Sequence, residues 1–252
     1  KEEVLTELPP KTENLVPLDL QTEERNAYNT ILAATDKTIR DEIQRRGFAQ
    51  SSITILNCLL RLRQCCCDPT LIESFEDPTF RGNTHSTKTQ HLLDWLPELI
   101  GQNHKVLIFS SFAQYLKKIS QALEASGLSH SLLTGSTIDR DKEIRKFRQG
   151  DNDIFLLSLK AGGYGLTLTE ADTVIHCDPW WNPAVEAQAS ARIHRIGQEK
   201  PVFIYKLVAE GTIESRILEL QDEKRNLANS LLSQDQETWS LNEDGLQELL
   251  DH

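Results

Sequence analysis

The 252-residue chain has the composition of an ordinary globular protein, with 38% hydrophobic and 26% charged residues. It contains no run of 18 apolar residues that could span a membrane, and its charged start, KEEVLTELPPKTE, lacks the apolar segment of a signal peptide. We therefore expect a cytosolic or nuclear protein with no membrane partner. The net charge of −11 excludes a broadly basic nucleic-acid-binding protein. Residues 101–210 nevertheless hold 13 basic and 12 acidic residues, so a local phosphate site is compatible with the charge.

The first quarter of the chain predicts two helices. One begins near Asp19 or Thr22 and ends at Gly47, and the other, ITILNCLLRLRQCCC, is closed by Asp68-Pro69. Apolar residues recur at helical spacing in the second helix, at Ile53, Leu56 and Leu60. After these helices the polar stretch ESFEDPTFRGNTHS predicts an exposed loop.

The five cysteines predict no metal site. Cys65, Cys66 and Cys67 are consecutive, an order that no disulfide framework favours, and Cys58 and Cys177 lie at no spacing typical of zinc ligands. We therefore expect buried and unreactive thiols.

After residue 86, short apolar runs alternate with helical segments. Five runs predict strands, at KVLIF (105–109), HSLL (130–133), DIFLLS (153–158), TVIHC (173–177) and VFIYKLV (202–208). The helices predicted between them lie near 112–126, 139–149 and 183–196, each ended by a glycine. This alternation predicts a parallel sheet covered on both faces, whose ligands bind at the carboxyl ends of the strands.

A glycine-rich stretch, LKAGGYGLTLT, follows the strand DIFLLS. Glycine permits positive φ and lets backbone N–H groups approach a phosphate closely. A tight turn without a ligand explains the same glycines equally well. The spacing is neither the dinucleotide fingerprint nor a Walker A loop, because no G-x-G-x-x-G and no Gly-Lys-Ser/Thr is present.

A polar stripe is predicted on the helix that follows DPWWNP. Asn182 before Pro183 is a favourable N-cap, so this helix starts at the carboxyl edge of the sheet. On it, Gln188, Arg192 and Arg195 share one face. A solvated face is the common explanation of such a stripe. The alanines and isoleucines on the other faces instead favour a packed helix whose arginines need anionic partners.

The order of these motifs resembles the C-terminal recombinase-A-like lobe of Snf2-family ATPases, in helicase superfamily 2. KVLIFSSF resembles motif IV, LLTGSTIDRDKEIRKF the block after it, FLLSLKAGGYGLTLTEADTVIHCDPWWNP motif V with its extension, and QASARIHRIGQ motif VI. LPPKTE and LLRLRQCCCDPTLI resemble the linker and protrusion before such a lobe, and VFIYKLVAEGTIESRILELQDEK resembles the segment and brace helix after it. The sequences of these motifs are most similar to those of bacterial members of the family.

The resemblance implies an α/β fold, in which a RecA-like parallel sheet is flanked by helices, with an N-terminal helical protrusion and a C-terminal brace helix. The implied boundaries are an inter-lobe linker at 1–18, the protrusion at 19–72, a loop at 73–87, the lobe at 88–210, the brace helix at 211–232 and an acidic tail at 233–252.

It also implies that ATP with Mg²⁺ lies between two lobes and is held mainly by an N-terminal ATPase lobe outside these residues. Arg195 is the expected arginine finger on the γ-phosphate, and Arg192 would contact or brace a phosphate. Gln188 would orient the attacking water or the ribose side, while Gly163 and Gly165 would let motif V approach the nucleotide.

One position departs from the family pattern. Where the family usually has an acid before the first arginine, this chain has Ala191. The orientation of Arg192 is therefore less well determined by the resemblance than that of Arg195.

For DNA, the resemblance implies contacts with the phosphates of one strand of a duplex. Hydroxyls, backbone N–H groups and a few cations suit contacts that position without reading sequence. The implied residues are Ser110, Ser111, Thr134, Gly135, Ser136, Arg140, Lys160, Ala161 and Gly162. Trp181 is expected to pack rather than to meet DNA.

The function that follows is an ATP-driven motor on double-stranded DNA that remodels or displaces a DNA-bound protein. The chain alone is expected to be inactive without the N-terminal lobe. Two alternatives stay open, a non-catalytic regulatory module with vestigial motor motifs and a strand-separating superfamily 2 helicase. The expected location is the cytoplasm, at the nucleoid, in a bacterium or the nucleus in a eukaryote.

Overall fold

The computed structural model describes residues 8–72, 86–162, 166–195 and 197–230, together with Leu246. These residues form two units. One combines 87–208 with the described part of 1–17, and the other combines 18–72 with the described residues after 208. Most of the predicted loop at 73–87 and, apart from Leu246, the predicted tail lie outside the described residues.

A six-stranded sheet is the centre of the first unit. In chain order its strands are β1 (Lys11–Leu18), β2 (Val106–Ser110), β3 (His130–Leu133), β4 (Ile154–Ser158), β5 (Thr173–His176) and β6 (Val202–Ala209). Their order across the sheet is β1-β6-β5-β2-β4-β3, and the pairs β6-β5, β5-β2, β2-β4 and β4-β3 are parallel. The five predicted strands are confirmed, each within one residue of its expected limits.

Strand β1 was not predicted, because its residues were assigned to a linker. The backbone N–H of Val202 donates to the carbonyl of Pro10 at 2.9 Å, just before β1 and at the start of β6. β1 therefore covers the edge of β6, whose backbone groups would otherwise be left open to pairing with another chain. The sequence KTENLVPL does not indicate a strand of a buried sheet, because most of its side chains are exposed.

Among the described residues of this unit, five helices flank the sheet. They are α3 (Thr87–Gly101), α4 (Ala113–Ala125), α5 (Arg140–Gln149), α6 (Leu159–Gly162) and α7 (Pro183–Ser190). Helices α4 and α5 match their predictions. At α5, Asp139 caps the start by accepting from the N–H of Lys142 at 2.9 Å, and Gly150 ends the helix in the left-handed region, at φ 85°.

The core of this unit lies on the central strands. All five residues of β2 and of β4 are buried, as expected for parallel strands covered on both faces. Side chains such as Phe109, Phe155 and Leu157 pack there with Ile193, which belongs to the segment after α7. Each such side chain contributes about 1.5–3 kcal/mol of hydrophobic stabilisation.

A buried lysine ties α3 to the sheet. Lys88 is 0% exposed, and its Nζ donates to the carbonyl of Cys177 at 2.6 Å and to that of Leu207 at 3.4 Å. A buried ammonium needs such acceptors, since its desolvation is otherwise costly. The carboxyl ends of β5 and β6 are thereby fastened together by a residue that precedes the sheet's central strands in the chain.

The second unit is helical. It contains α1 (Thr22–Arg46), α2 (Phe48–Cys67), a 3-10 turn (Pro69–Leu71) and α8 (Ile213–Ser230), so both predicted N-terminal helices are confirmed. The hydroxyl of Tyr28 accepts from the N–H of Ile213 at 2.7 Å, and Arg25 donates to the carbonyl of Gly211 at 2.7 Å. These bonds hold the start of α8 on α1. No described helix is apolar over a stretch long enough to cross a membrane.

The apolar repeat that predicted α2 lies on its exposed side. Ile53 is 76% exposed, Leu56 51% and Leu60 41%. The buried face is formed by residues on the opposite side of the helix, among them Ile55, Leu59 and Leu62. The periodicity therefore identified the helix but not the face that packs.

All five cysteines are buried and none of them forms a disulfide, in agreement with the prediction. Burial raises the pKa of the Cys65 thiol to about 12, helped by the negative charges of Glu24 and Asp68. Burial also raises the pKa of Cys58.

Candidate functional site

The carboxyl ends of β2, β4 and β5 meet at one edge of the sheet. In the parallel register Ser110 pairs with Ser158, and Phe109 pairs with His176. The segments after these strands therefore begin side by side. They carry many of the residues predicted to bind phosphate, as expected for ligand sites of parallel sheets.

Ser110 is buried at this edge rather than presented on the surface. It is 1% exposed, and its hydroxyl donates to Oδ1 of Asp178 at 2.6 Å while accepting from the N–H of Phe112 at 3.1 Å. The N–H of Ser111 also donates to Asp178, at 3.1 Å to Oδ1. Sequence reasoning assigned no role to Asp178, although its position just after a predicted strand was a usable signal.

The turn after β3 is held by its own hydroxyls. Thr134 is 1% exposed, and its Oγ1 lies 3.0 Å from Oγ of Ser136. The N–H of Thr134 donates to Oγ1 of Thr137 at 2.9 Å. Gly135 and Ser136 are exposed and Arg140 is half-buried, so these three present groups at the surface while Thr134 shapes the turn.

Only part of the predicted glycine stretch after β4 can be placed. Lys160 is exposed in α6, and Gly162 ends that helix. Ala161 is 2% exposed and belongs to the core, and its N–H donates to Oγ of Ser158 at 3.2 Å. Gly163 and Gly165 lie outside the described residues.

A buried carboxylate also holds the DPWWNP loop. Glu186 accepts from the N–H of Trp180 at 2.6 Å and pairs with Nζ of Lys206 at 2.7 Å. As predicted, Asn182 caps α7, accepting from the N–H of Ala184 at 2.9 Å. Trp181 is half-buried.

The last residue of α7 is fixed to the sheet by a histidine. Nε2 of His176 lies 3.0 Å from Oγ of Ser190, and its ring stacks on Phe109 with centroids 5.6 Å apart. Burial lowers the pKa of His176, with an opposing effect from the negative charge of Glu186. The neutral imidazole is therefore the stable form at this position.

The predicted helix 183–196 is wrong in its second half, because α7 ends at Ser190. Beyond it the N–H of Arg192 donates to Ala189 and that of Ile193 donates to Ser190, both across three residues rather than four. This tightening places Ile193, which is 0% exposed, in the core. We call residues 191–195 the arginine turn.

The two arginines of this turn occupy different environments. Arg192 is 5% exposed, and its carbonyl accepts from the N–H of Leu168 at 3.1 Å, just past the glycine stretch. Burial lowers the pKa of Arg192, and the positive charge of Arg195 lowers it further. Arg195 is exposed, with its Nε donating to the carbonyl of Ala191 at 3.0 Å. Its guanidinium is thus held near the turn and remains accessible to solvent.

Gln198 locks the arginine turn to the sheet, a role that sequence reasoning missed. It is 6% exposed, and its Nε2 donates to the carbonyls of Ala171, Thr169 and Ile193 at 2.7, 3.2 and 3.3 Å. Gly197 before it adopts φ 100°, which a side chain would disfavour. The Gly197-Gln198 end of the motif therefore stabilises the position of the arginine turn.

Gln188 lies on the exposed side of α7, outside the arginine turn. Because the helix ends two residues later, the continuous polar stripe predicted for Gln188, Arg192 and Arg195 does not form. Within the described parts of the chain, no cluster of three or more His, Cys, Asp or Glu residues could hold a metal ion.

Two family models match this sequence. The model for the helicase conserved C-terminal domain matches residues 87–197, which contain β2 to β5 and the arginine turn. The model for the SNF2-related domain matches residues 1–71, including α1 and α2.

Curated relatives come from distant organisms. YwqA of Bacillus subtilis, classed as a candidate ATP-dependent helicase/translocase, is 35% identical over 251 residues, or 98% of this chain. The SWI/SNF-related matrix-associated actin-dependent regulator of chromatin subfamily A member 1 of Mus musculus is 34% identical over 100% of the chain. The chain spans only 27% and 25% of these two proteins.

Solved structures of similar proteins superpose on this chain. The Sulfolobus solfataricus SWI2/SNF2 ATPase C-terminal domain is 29% identical and superposes with a TM-score of 0.71, covering 95% of this chain and 97% of that one. The ATPase core from the same organism in complex with double-stranded DNA is 28% identical, with a TM-score of 0.74 over 99% of this chain and 52% of that one.

The parallel sheet, the arginine turn at its carboxyl edge and the matched model define a RecA-like helicase C-terminal lobe. The chain belongs to the Snf2 family of helicase superfamily 2. Bacterial and mammalian relatives match at nearly equal identity, so the expected bacterial origin stays a prediction.

Proposed function

We propose that this chain is the second motor lobe of an ATPase that translocates on double-stranded DNA and thereby remodels or displaces a DNA-bound protein. The observation that carries the proposal is the exposed guanidinium of Arg195, held on a turn whose Arg192 carbonyl is bonded to the segment after the glycine stretch. The Bacillus subtilis relative named as an ATP-dependent helicase/translocase and the related structure solved with double-stranded DNA support the same activity.

In this proposal ATP with Mg²⁺ is held mainly by an N-terminal ATPase lobe, and Arg195 completes the nucleotide site. Phosphoryl transfer is accelerated chiefly by positioning and by stabilising charge on the transferred group, and an arginine finger contributes about 10³ to 10⁵ in rate. An exposed, permanently charged guanidinium next to a rigid turn suits this role. Arg192 supports the turn from within and adds positive potential beside Arg195.

The DNA side of the proposal uses the same edge of the sheet. Lys160 and Arg140 present cations, Gly135 presents open backbone and Ser136 presents a hydroxyl. These groups lie at the surface, where they would position phosphates without reading base sequence. Such a motor would act at the nucleoid of a bacterium or in the nucleus of a eukaryote.

The test measures ATP hydrolysis by the intact protein with and without duplex DNA, alongside the 252-residue chain alone. We expect stimulation by duplex DNA in the intact protein and no hydrolysis by the chain alone. Absence of DNA-stimulated hydrolysis would instead favour a regulatory module with vestigial motifs. Separation of a forked duplex would identify a strand-separating helicase.

A further inference from the structure

We infer that Asp178 is a positioning residue for the DNA grip, which sets the conformation of the turn formed by Ser110, Ser111 and Phe112. The inference rests on the proposed function, since it assumes that this turn and its neighbours meet DNA. Asp178 itself is 1% exposed and lies below the surface that would contact a phosphate.

The first step is the geometry of the turn. One carboxylate accepts from two successive residues, from the Ser110 hydroxyl at 2.6 Å and from the Ser111 N–H at 3.1 Å to Oδ1 and 3.3 Å to Oδ2. The Ser110 hydroxyl in turn accepts from the N–H of Phe112 at 3.1 Å. Phe112 is the N-cap of α4, and its own side chain makes no capping hydrogen bond. Asp178 thus orders the turn and, through Ser110, the start of α4.

The second step is the rigidity of the platform that carries Asp178. The N–H of Cys177 donates to the carbonyl of Phe109 at 2.9 Å, so the ends of β2 and β5 are joined by backbone next to the carboxylate. Nζ of Lys88 donates to the carbonyl of Cys177 at 2.6 Å. A carboxylate held in this way keeps its two acceptors in place without further ordering, which is the condition for positioning another group.

The third step is electrostatic. A buried carboxylate is costly unless it is hydrogen-bonded, and bonds to an ionised acceptor are about twice as strong as neutral ones. The turn is therefore held more firmly than a serine or an amide at position 178 could hold it. The same bonds occupy the Ser110 hydroxyl, so the structure favours an indirect role for Ser110 over the direct phosphate contact predicted from sequence.

A matched control lies in the same loop. Glu186 is likewise a buried carboxylate, at 2% exposure, and it holds Trp180 and Lys206 rather than the turn after β2. Its replacement removes a buried charge of the same kind and leaves the bonds of Ser110 and Ser111 untouched.

The experiment measures binding of a fluorescent DNA duplex to the intact protein by anisotropy, for wild type, Asp178→Asn, Ser110→Ala, the double variant and Glu186→Gln. Asp178→Asn keeps the side chain's shape but removes the charge, and we expect about a tenfold rise in Kd from weakened hydrogen bonds. Ser110→Ala should give a similar rise. The double variant should lose less than the product of the two single losses, because both changes act on the hydrogen bond between Ser110 and Asp178. Glu186→Gln should leave Kd within about twofold even where it lowers the melting temperature.

The outcomes separate this inference from the proposed function. Failure of the intact wild-type protein to bind DNA would overturn both. If the wild type binds DNA, three results would overturn only the inference: Asp178→Asn binds equally well or more tightly, the two losses multiply in the double variant, or Glu186→Gln weakens binding as much as Asp178→Asn. The last result would mean that loss of any buried carboxylate has the same effect.

Discussion

Arg192 and Arg195 lie three positions apart in the arginine turn, yet one is 5% exposed and the other is open to solvent. Burial lowers the pKa of Arg192, and the positive charge of Arg195 lowers it further. The two arginines therefore have different roles. Arg192 is part of the packed structure, and Arg195 is available to a ligand.

The first prediction follows from this division. In the intact protein, Arg195→Ala should lower kcat for DNA-stimulated ATP hydrolysis by at least about 10²-fold, since the arginine stabilises charge only in the transition state. The stability of the lobe should change by no more than about 0.5 kcal/mol, as for other exposed positions. Steady-state kinetics and thermal melting on the same preparations check both values.

The comparison variant is Arg192→Ala. Because Arg192 is buried, its loss should lower the melting temperature as well as activity. Unchanged turnover in Arg195→Ala would rule out the arginine finger.

The second prediction contrasts two glutamines of one motif. Gln198→Ala removes an amide that donates to three carbonyls and should lower the free energy of unfolding by about 1–3 kcal/mol. Gln188→Ala, on the exposed side of α7, should change it by less than about 0.5 kcal/mol. Urea denaturation followed by tryptophan fluorescence is suitable, since Trp95, Trp180 and Trp181 all belong to the unit that contains the sheet. Equal effects of the two changes would contradict the fastening role of Gln198.

The third prediction concerns Lys160, which is exposed in α6. If it contacts a DNA phosphate, Lys160→Ala should weaken binding to all duplex sequences alike and reduce the slope of log K against log salt by about 1. Lys37→Ala, an exposed cation on α1, serves as the control and should leave the slope unchanged. Anisotropy titrations at several salt concentrations give the slopes. A slope that Lys160→Ala does not alter would remove this lysine from the DNA interface.

The fourth prediction is a pH dependence from His176. Its pKa is lowered in the folded protein by burial, so the unfolded chain binds the proton more readily, with a reference pKa of about 6.5. The stabilisation is therefore complete above about pH 6.5 and is lost as pH falls below that value, by at most about 1.4 kcal/mol per pH unit for one proton. Glu186, Lys206, Asp178 and Glu13 also act on the imidazole.

His176→Gln cannot titrate, so its free energy of unfolding should fall less steeply between pH 7 and about pH 5 than that of the wild type. Urea midpoints followed by tryptophan fluorescence across this range provide the comparison. Parallel curves for the two proteins would show that His176 does not contribute to the slope.

The fifth prediction concerns the thiols. All five cysteines are buried thiols, and burial raises the pKa of Cys65 to about 12, so native protein should react slowly with Ellman's reagent. In denaturant five thiols per chain should react at once. Cys58, with 8% exposure, should be the first of the four α2 thiols to react under mild conditions, and Cys58→Ser identifies it. Rapid native reaction of Cys65 would contradict its burial.

Sequence reasoning succeeded where one local signal dominates. The strands β2, β4 and β5 are buried apolar runs, and Asn182 with Pro183 sets the start of α7. The helix α3 was not predicted, and Pro97 in its interior is the kind of residue that argues against a helix.

The end of α7 depends on tertiary structure. Helical periodicity continues through the arginine turn, but burial of Ile193 and the bonds of Gln198 override it. The different environments of Arg192 and Arg195 follow from that packing, which residue spacing along the chain does not predict.

Contacts made by residues that precede β2 have a practical consequence for the choice of domain limits. The motifs begin at KVLIF, yet the carbonyl of Pro9 accepts from His194 in the arginine turn at 2.9 Å, and β1 and Lys88 secure β6 and the end of β5. A truncated version starting at residue 105 would keep the segments that resemble motifs IV to VI and would still lose the hydrogen bonds that hold them in register. Domain limits chosen from the motifs alone would thus exclude residues that stabilise the lobe.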